Sequence, residues 1–495
     1  MNALTRDLIK LTDIAETQGA EKEEKLLFRE HFHLMPPVGW LNDPNGLCQF
    51  EGVYHAFFQY SPFDAEGGVK MWGHYISDNM LDWKYQGVAL YPDQPFDCHG
   101  VYSGSALVED GKMYLYYTGN VKLEDGEYDY IRTGREGNTV LVSSEDGIHF
   151  GHKKQLMRNT DYPDDLTCHV RDPKVWKEQD TYYMVQGART KEDVGQILIF
   201  TSKDKVNWKF KSRIESKEPF GYMWECPDFY PMGDKYVLTF SPMGAGEHTS
   251  VYLVGDFDYL TGKFCCHVSG EIDWGLDYYA PQSFLAPDGR RIIVGWSNEW
   301  EWMPLWKDWG PTYKEGWCGF FNIPREVRMR KDGTLQFLPI REVETIRENP
   351  KRIAELAVSE EYTELEAGDG VCFELKLKID LQRTNADELE LDLRCGAERR
   401  TICLFHFKKG EMRVDRNAAD GWSKGVSRSV LYLQGKKELD VHILSDQSSL
   451  EIFTDQYQNN HSNNIFAKAS QNQLRVRARG GNAVLRDIET YGLRA

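Results

Sequence analysis

Three acidic residues stand in short motifs that could carry chemistry. Asp43 lies in Asn-Asp-Pro-Asn-Gly (42–46), Asp172 in Arg-Asp-Pro (171–173), and Glu225 in Trp-Glu-Cys-Pro (224–227). Two carboxyl groups in different protonation states can split a glycosidic bond, one as nucleophile and the other as proton donor. Retention of configuration requires them to lie about 5–5.5 Å apart. The three residues are therefore candidates for a glycosidase pair with a third carboxylate beside it.

The local sequence predicts a different role for each residue. Backbone N–H groups of a tight turn can keep Asp43 ionised, as a nucleophile requires. Glu225 stands between a tryptophan and a cysteine, an apolar setting that would raise its pKa and suit a general acid. Asp172 is expected to stay ionised because Arg171 precedes it, so it could bind sugar hydroxyls.

Each motif also has an ordinary structural interpretation. Asp-Pro and Asn-Gly pairs usually mark turns, which would account for Asp43. An adjacent arginine and aspartate, such as Arg171 and Asp172, are often a structural ion pair. Glu225 alone could be solvated or salt-bridged. Catalysis follows only if the fold brings the three residues together.

Five segments of the first 350 residues share one plan. Each has a short strand with a polar start, a polar turn and then an aromatic-rich strand, and the plan recurs about every 60 residues. The segments are 42–60, 103–120, 171–188, 225–242 and 280–297. Units of this length with four short strands are typical of propeller blades, whereas solenoid repeats have shorter periods. The sequence predicts a five-bladed β-propeller.

A second repeated element follows three of these segments. An aromatic residue stands six positions after a serine in Ser77–Trp83, Ser144–Phe150 and Ser202–Trp208, with acidic or amide residues between them. This pattern predicts a hairpin turn between the outer strands of a blade.

Aligning the five segments on their second strands places one polar residue at the start of each first strand. These residues are Asp43, Ser103, Asp172, Glu225 and Gln282. The first strands of a propeller line its central channel, so we expect these side chains to converge at one mouth of the channel. Converging carboxylates make a poor structural core and a good active site.

After about residue 350 the pattern changes to alternating apolar and polar residues, at 373–380, 388–394, 439–443 and 450–453. Such half-buried strands predict an antiparallel β-sandwich. The expected fold class is all-β, a five-bladed β-propeller followed by a C-terminal β-sandwich. The expected division is an N-terminal helical extension (1–30), a catalytic propeller (31–345), and a linker with the sandwich (346–495). The charged stretch 341–355 is the expected linker, partly helical.

The ends and the composition limit the classes of function. Leu4, Leu8 and Leu11 recur at helical spacing, which predicts a short amphipathic helix that packs on the main body. The net charge of −18 argues against nucleic acid and anionic membrane as partners. The first twenty residues lack the apolar core of a signal peptide, and no stretch approaches the length of a membrane span. Ten scattered cysteines without a C-x-x-C pair predict buried free thiols in a reducing compartment, so we expect a cytoplasmic protein.

Beyond these patterns, the chain resembles glycoside hydrolase family 32, the group of invertases, fructanases and sucrose-6-phosphate hydrolases. The resemblance spans about residues 27–495, and several long motifs occur in the family's order. These motifs are His33–Pro37, Trp40–Gly46, Gln59, Trp72–His74, Tyr102–Ser105, Arg171–Pro173, Trp224–Pro227 and Tyr279–Gln282. The resemblance implies a five-bladed propeller with a β-sandwich and no cofactor or metal.

The resemblance also implies residue roles. Asp43 would be the nucleophile, Glu225 the acid/base and Asp172 the transition-state stabiliser of a retaining β-fructofuranosidase. The fructose subsite would be lined by Asn42, Gln59, Trp72, Ser103, Arg171 and Tyr279. An exo-fructanase or fructosyltransferase with the same triad is an alternative, as is a non-catalytic fructan-binding protein, although all three carboxylates are present.

The substrate preference stays open at this level. Sucrose, sucrose 6-phosphate and short fructo-oligosaccharides all fit the implied chemistry. A basic residue at the glucosyl side of the pocket would favour the phosphate. Candidates are Lys70, Arg189 and Lys191. The oligomeric state cannot be read from the sequence.

Overall fold

The computed structural model describes residues 2–21, 26–300 and 310–494. It begins with helix α1 (Ala3–Ala20), which confirms the predicted N-terminal helix. The packing face differs from the predicted one, because Leu4 and Leu11 are about half exposed. The helix instead buries Thr12 and uses Glu16, whose carboxylate accepts hydrogen bonds from two tyrosine hydroxyls of the first sheet.

Five antiparallel sheets follow in chain order, as the repeats predict. The first four are β1–β4 (Gly39–Phe50, Val53–Ser61, Met71–Ser77, Lys84–Leu90), β5–β8 (Val101–Glu109, Lys112–Lys122, Arg135–Ser144, Lys154–Met157), β9–β12 (Leu166–Glu178, Thr181–Thr190, Gly195–Ser202, Lys209–Ile214) and β13–β16 (Met223–Met232, Lys235–Met243, Val251–Asp258, Lys263–Glu271). The fifth contains β17 (Tyr279–Leu285), β18 (Arg291–Trp296), β20 (Arg325–Met329) and β21 (Leu335–Pro339), and a short 3₁₀ helix covers Asn159–Asp161. The sheets are the blades of the propeller.

The chain after the fifth blade's second strand returns to the first blade and closes the ring. Helix α2 (Gly310–Glu315) leads into β19 (Trp317–Cys318), which pairs in parallel with β1. The paired residues are Gly39 with Trp317 and Trp40 with Cys318. This closure fixes the first inner strand, which carries Asp43.

The serine-to-aromatic segments form the predicted turns between third and fourth strands. In each turn the serine hydroxyl accepts a backbone N–H two residues on, at Ser77, Ser144 and Ser202. The next polar residue, Asn79, Asp146 or Asp204, then accepts the backbone N–H groups two and three residues beyond it. These side-chain caps explain why serine and Asx residues recur there.

The first strand of every blade, its inner strand, contains a bulge near the polar residues that are predicted to converge. The pairing shifts between Leu41 and Pro44, Tyr102 and Gly104, Arg171 and Lys174, Glu225 and Asp228, and Tyr279 and Gln282. Bulges bend a strand and re-aim its side chains, which is why they are common beside active sites.

The bulges correct the alignment that counting along the sequence predicts. In blades three to five, Asp172, Cys226 and Ala280 share a positive φ (64°, 49° and 50°) and each precedes a proline. Glu225 is therefore equivalent to the residue before Asp172, and Gln282 lies beyond the bulge. Gln282 donates to the carbonyl oxygens of residues 226 and 227 instead of joining the carboxylates. The predicted equivalence of the five polar residues is therefore wrong by one to three positions, because the bulges and hairpin loops differ in length.

Two six-stranded sheets form the predicted sandwich. The first, in spatial order, contains β22 (Arg347–Val358), β33 (Ala483–Leu493), β24 (Phe373–Asp380), β29 (Glu438–Ser445), β30 (Ser449–Thr454) and β31 (Asn459–Asn464). The second contains β23 (Thr363–Leu365), β32 (Gln473–Arg479), β25 (Glu388–Cys395), β26 (Thr401–His406), β27 (Glu411–Asp415) and β28 (Val426–Val430). Their inward-facing aliphatic side chains form one continuous core.

The charged stretch predicted as a linker is only partly one. Residues Arg341–Ile346 form a 3₁₀ helix, which agrees with the partial helicity expected. From Arg347 onward the chain is already strand β22, which pairs with β33 at the edge of the sandwich. Its side chains are largely exposed, so its charges are those of an edge strand.

Buried ion pairs join the propeller to the sandwich. The guanidinium of Arg325 is fully buried and donates to Asp273 at 2.8 Å and to Glu451 at 2.5 Å. His33 donates to Glu451 and Asp446, and this pairing raises its pKa to about 10 against the opposing effect of burial. Each of these buried charges has a partner, and the pairs of Glu451 and Asp446 cross from the sandwich to the propeller.

The ten cysteines are all free, and six of them are buried. Cys98, Cys265 and Cys266 are exposed, so the predicted burial of the thiols holds for only part of the set. Within the described ranges 2–21, 26–300 and 310–494, no helix combines the length and hydrophobicity that crossing a membrane requires.

Candidate active site

The three acidic residues lie together where the inner strands of blades one, three and four bulge. Burial and then the charge of Glu225 raise the pKa of Asp43. The charges of Glu225 and Asp43 both act on the carboxyl of Asp172. The side chains of Glu225 and Asp172 are only 14% and 6% exposed. The fold therefore brings all three predicted residues into one recessed site.

Left-handed backbone at the bulges lets adjacent residues face the same site. In a regular strand, neighbouring side chains point to opposite faces. Asp172 and Cys226 have φ of 64° and 49°, so each turns back to the side of the residue before it. As a result Arg171 contacts Glu225 while the backbone N–H of Cys226 donates to Asp172. The two dipeptides, residues 171–172 and 225–226, therefore supply four functional groups to the site.

Side chains hold the carboxylate of Asp43. The hydroxyl of Ser103 donates to Oδ2 at 2.5 Å, Nδ2 of Asn42 donates to Oδ1 at 3.0 Å, and the thiol of Cys226 lies 3.4 Å from Oδ2. Among the described residues these side chains, and not the predicted backbone N–H groups, are the donors. Their hydrogen bonds oppose the rise in the pKa of Asp43 that burial and Glu225 cause.

Glu225 sits among polar partners and not in the apolar setting that its neighbours in sequence predict. Arg171 donates to Oε1 at 2.8 and 3.2 Å, and the hydroxyl of Tyr279 donates to Oε2 at 2.6 Å. The apolar residue before it, Trp224, points into the blade and stacks on Phe240 at 4.1 Å. Strand alternation explains the error, because the tryptophan faces away from the site.

Asp172 is the carboxyl that differs most from its predicted state. Burial raises its pKa to about 7; Arg171 opposes this rise, and the charges of Glu225 and Asp43 add to it. The predicted cation is nearby but favours another partner, since Nε of Arg171 lies 3.9 Å from Asp172 and Nη2 lies 2.8 Å from Glu225. A pKa near 7 leaves Asp172 partly protonated at neutral pH.

Two predicted sugar-binding residues, Gln59 and Trp72, hydrogen-bond the backbone of the strand that carries Ser103. Nε2 of Gln59 donates to the carbonyl oxygen of residue 101 at 2.9 Å, and Nε1 of Trp72 donates to that of residue 102 at 3.1 Å. Both side chains are at most 2% exposed. These bonds fix the strand that carries Ser103, and direct contact of Gln59 or Trp72 with a sugar stays a prediction. Four other predicted subsite residues contact the carboxylates directly. Asn42 and Ser103 donate to Asp43, and Arg171 and Tyr279 donate to Glu225.

The sequence interpretation missed the bridging position of Cys226. Its backbone N–H donates to Asp172 at 2.9 Å and its thiol faces Asp43. Burial and the neighbouring carboxylates raise the pKa of this thiol well above its usual value, so it stays protonated. The only signal was its place directly after Glu225, and strand alternation would have pointed it away.

Possible metal ligands among the described residues gather away from these carboxylates. The groups with suitable spacing are His31, Cys372 and Asp446, and Glu30, His33 and Asp446, where the propeller meets the sandwich. Asp446 already accepts hydrogen bonds there from two backbone N–H groups of residues 31 and 32 and from both histidine rings. Hydrogen bonding thus accounts for its burial.

Comparison with known families matches both parts of the chain. The glycosyl hydrolases family 32 N-terminal domain matches residues 33–339, and the family 32 C-terminal domain matches residues 342–492. The chain belongs to glycosyl hydrolase family 32. It is a glycoside hydrolase, and the family resemblance of its motifs is confirmed.

Relatives within family 32 match over nearly the whole chain. The sucrose-6-phosphate hydrolase of Escherichia coli is 35% identical, covering 92% of this chain and 93% of the relative. The solved structure of sucrose-6-phosphate hydrolase from Lactobacillus gasseri has a TM-score of 0.84 and 26% identity, covering 98% and 96% of the two chains. A family 32 β-fructofuranosidase of Bombyx mori, solved in complex with sucrose, has a TM-score of 0.78 and 28% identity, with 98% of each chain covered.

Proposed function

We propose that the protein is a retaining β-fructofuranosidase that hydrolyses the fructosyl bond of sucrose 6-phosphate or sucrose. The observation that carries this proposal is the meeting of Asp43, Glu225 and Asp172 in one recessed site. Membership of family 32 and the activities named for the relatives support the same substrate class.

In the first step Asp43 attacks the anomeric carbon C2 of the fructosyl unit. A bond forms between C2 and a carboxylate oxygen of Asp43, and the bond from C2 to the glucosyl oxygen breaks. Glu225 gives its proton to that oxygen as the leaving group departs. Ser103 and Asn42 hold the attacking carboxylate in one orientation, which reduces the entropic cost of the attack.

In the second step water hydrolyses the covalent fructosyl-enzyme. Glu225, now a carboxylate, takes a proton from the water, whose oxygen attacks C2 and releases Asp43. The two hydrogen bonds from Arg171 and the one from Tyr279 keep Glu225 in place through this change of role. Two displacements at C2 give net retention.

Asp172 stabilises the positive charge that develops on the fructosyl ring in both steps. Burial removes Asp172 from water and so raises its pKa. Sugar hydroxyls that donate hydrogen bonds to the carboxylate would take the place of water and favour its ionised form. Asn42, Gln59, Trp72, Ser103, Arg171 and Tyr279 form the rest of the fructose subsite in this proposal.

The test is the steady-state hydrolysis of sucrose and sucrose 6-phosphate by the wild-type protein and the Asp43→Asn variant. We expect release of fructose by the wild type and a loss of kcat of about 10⁴-fold or more in the variant. Equal release of glucose (or its phosphate) and fructose indicates hydrolysis, whereas an excess of the glucosyl product indicates fructosyl transfer. Near-normal hydrolysis by Asp43→Asn would refute the assignment.

The reducing cytoplasm is the compartment that we propose. Ten unpaired thiols support it, since Cys265 and Cys266 are exposed and would be open to oxidation outside the cell. A phosphorylated sugar substrate fits the same compartment. Mass spectrometry of the protein from its native cells, with thiols alkylated at lysis, should find all ten cysteines reduced.

A further inference from the structure

The imidazole of His169 contacts Arg171 beside the active site and lies near the charges of two more arginines, Arg135 and Arg189. Nη1 of Arg171 lies 2.5 Å from Nδ1, and Nε2 lies 3.1 Å from the carbonyl oxygen of Tyr130. Nε2 therefore donates and Nδ1 accepts, so the ring is neutral. Burial and then the charges of Arg171, Arg135 and Arg189 lower the pKa of His169 to about 2. The imidazole thus adds no positive charge to the three guanidinium groups.

These arginines differ in how their charges are balanced. Arg171 pairs with Glu225, and Arg189 pairs with Asp193 at 2.8 Å. Arg135 has no ion pair within the described residues, and its Nε is buried without a hydrogen-bond partner there. Burial and the nearby charge of Arg171 lower the pKa of Arg135. A partly buried, unpaired cation beside a second cation is costly unless an anion joins it.

A lysine adds to the positive charge at the same place. Lys122 ends strand β6 and Arg135 begins the adjacent strand β7, where the two residues are paired in register. Nζ of Lys122 lies 5.3 Å from the ring centroid of Tyr130. The chain as a whole carries a net charge of −18, so this local excess of positive charge points to an anionic ligand.

The cationic group adjoins Glu225, which protonates the leaving group in the proposed function. The nucleophile Asp43 has different partners, since Asn42 and Ser103 of blades one and two donate to its carboxylate. Arg171 contacts Oε1 of Glu225, and the group extends outward from it to the ends of strands β6, β7 and β10. An anion there would belong to the departing glucosyl unit and not to the fructosyl ring.

We propose that Arg135, assisted by Arg189 and Lys122, forms a subsite for the phosphate of a phosphorylated glucosyl leaving group. The inference rests on the proposed function and assigns its preferred substrate class as sucrose 6-phosphate. Arginine suits this task because its guanidinium offers several N–H donors to phosphate oxygens in one plane. The planar side chain of Arg189 is already held against Tyr222, with its Cζ 4.3 Å from the ring centroid.

The other two basic candidates from the sequence lie elsewhere. Nζ of Lys70 lies 4.9 Å from the ring centroid of Trp40, and its charge interacts with Asp43, the nucleophile in the proposed function. Lys191 is exposed and donates to the carbonyl oxygen of Asp164 at 2.5 Å. Of the three candidates, only Arg189 belongs to the proposed subsite.

The test compares kcat/KM for sucrose and sucrose 6-phosphate in the wild type and in Arg135→Gln. We expect the variant to lose about 30- to 300-fold on sucrose 6-phosphate and less than about threefold on sucrose, mostly through KM. Arg135→Lys should recover part of the loss, because it restores the charge without the fork of donors. Inorganic phosphate should inhibit sucrose hydrolysis competitively in the wild type and more weakly in Arg135→Gln.

Lys191→Gln is the matched control, since it removes an exposed cation two residues after Arg189 that lies outside the subsite, and both substrates should be unaffected. An equal loss on both substrates in Arg135→Gln, or no loss on either, would overturn the inference. A wild-type kcat/KM that is no higher for sucrose 6-phosphate than for sucrose would also overturn it. In each of these cases hydrolysis of sucrose by the wild type would leave the proposed function intact, whereas inactivity on both sugars would refute that function itself.

Discussion

The thiol of Cys226 lies 3.4 Å from Oδ2 of Asp43, although Cys226 directly follows Glu225 in the chain. Its backbone N–H donates to Oδ2 of Asp172 at 2.9 Å. One residue thus links carboxyl groups from three blades, because its left-handed backbone turns its side chain to the face that Glu225 already occupies. The relative positions of nucleophile, acid/base and stabiliser therefore depend on this bulge.

Removing the thiol should weaken the nucleophile. In Cys226→Ala the carboxylate of Asp43 loses a donor that helps to lower its pKa, so that pKa should rise. We expect kcat/KM to fall about tenfold and its acidic limb to move to higher pH. Cys226→Ser, which keeps a donor, should retain most of the activity. A pH profile identical to that of the wild type in Cys226→Ala would contradict the proposed contact.

The buried carboxyl of Asp172 should make stability depend on pH. Its folded-state pKa, raised to about 7 mainly by burial, lies above the unfolded value near 4, so the stability it contributes is full below about pH 4 and lost as pH rises through 7. Asp172→Asn cannot ionise, so its Tm relative to the wild type should increase between about pH 5 and pH 8. Its kcat should fall by about 10³-fold because transition-state stabilisation is lost.

Differential scanning calorimetry at the two pH values checks the change in Tm. Asp110→Asn is the control, because Asp110 is exposed in a turn of blade two, and its relative Tm should not change with pH. A Tm difference for Asp172→Asn that stays constant across this range would show that the carboxyl is not held in the state described.

The junction of propeller and sandwich should depend strongly on Arg325. Replacing it with methionine leaves Asp273 buried without a cation and Glu451 with His33 alone, which should cost about 3–5 kcal/mol of unfolding free energy. Arg328→Ala is the matched control, because Arg328 is 54% exposed and pairs at the surface with Glu326; its loss should cost less than about 1 kcal/mol. Urea unfolding of both variants measures the difference, and similar midpoints would refute the role of the buried network.

Thiol reactivity should separate exposed cysteines from the one in the active site. N-ethylmaleimide should modify Cys98, Cys265 and Cys266 in the native protein without loss of activity. Cys226 should not react, because it is buried and its pKa is raised well above the usual value. Peptide mapping after brief labelling tests this, and inactivation in step with labelling of Cys226 would contradict it.

Much of the architecture could be predicted because it depends on periodic local signals. The aromatic strands and capped turns of the blades recur in the sequence, and period-two alternation identifies the sandwich. The face of helix α1 was less predictable, since Thr12 and Glu16 pack on the propeller through polar contacts that a hydrophobic period does not reveal.

The site was predictable as a set of residues but not as an electrostatic arrangement. Asp43, Asp172 and Glu225 could be identified from their motifs, yet the partner of Arg171 and the position of Cys226 depend on left-handed bulges. Likewise, Arg135 carries no motif, because its significance arises only from unpaired charge among groups distant in the sequence. Bulge register and charge balance are tertiary properties, which single-sequence patterns do not contain.

In the proposed mechanism Asp43 becomes covalently bonded to the fructosyl unit. The most direct measurement is mass spectrometry of the Glu225→Gln variant after rapid acid quench with an activated aryl β-fructofuranoside, whose leaving group needs little protonation. The intermediate should accumulate, because the amide that replaces the Glu225 carboxylate cannot activate water, and peptide mapping should place one anhydrohexose unit on Asp43. An adduct on Asp172, or turnover of the activated substrate with no adduct and with inversion at C2, would contradict the account.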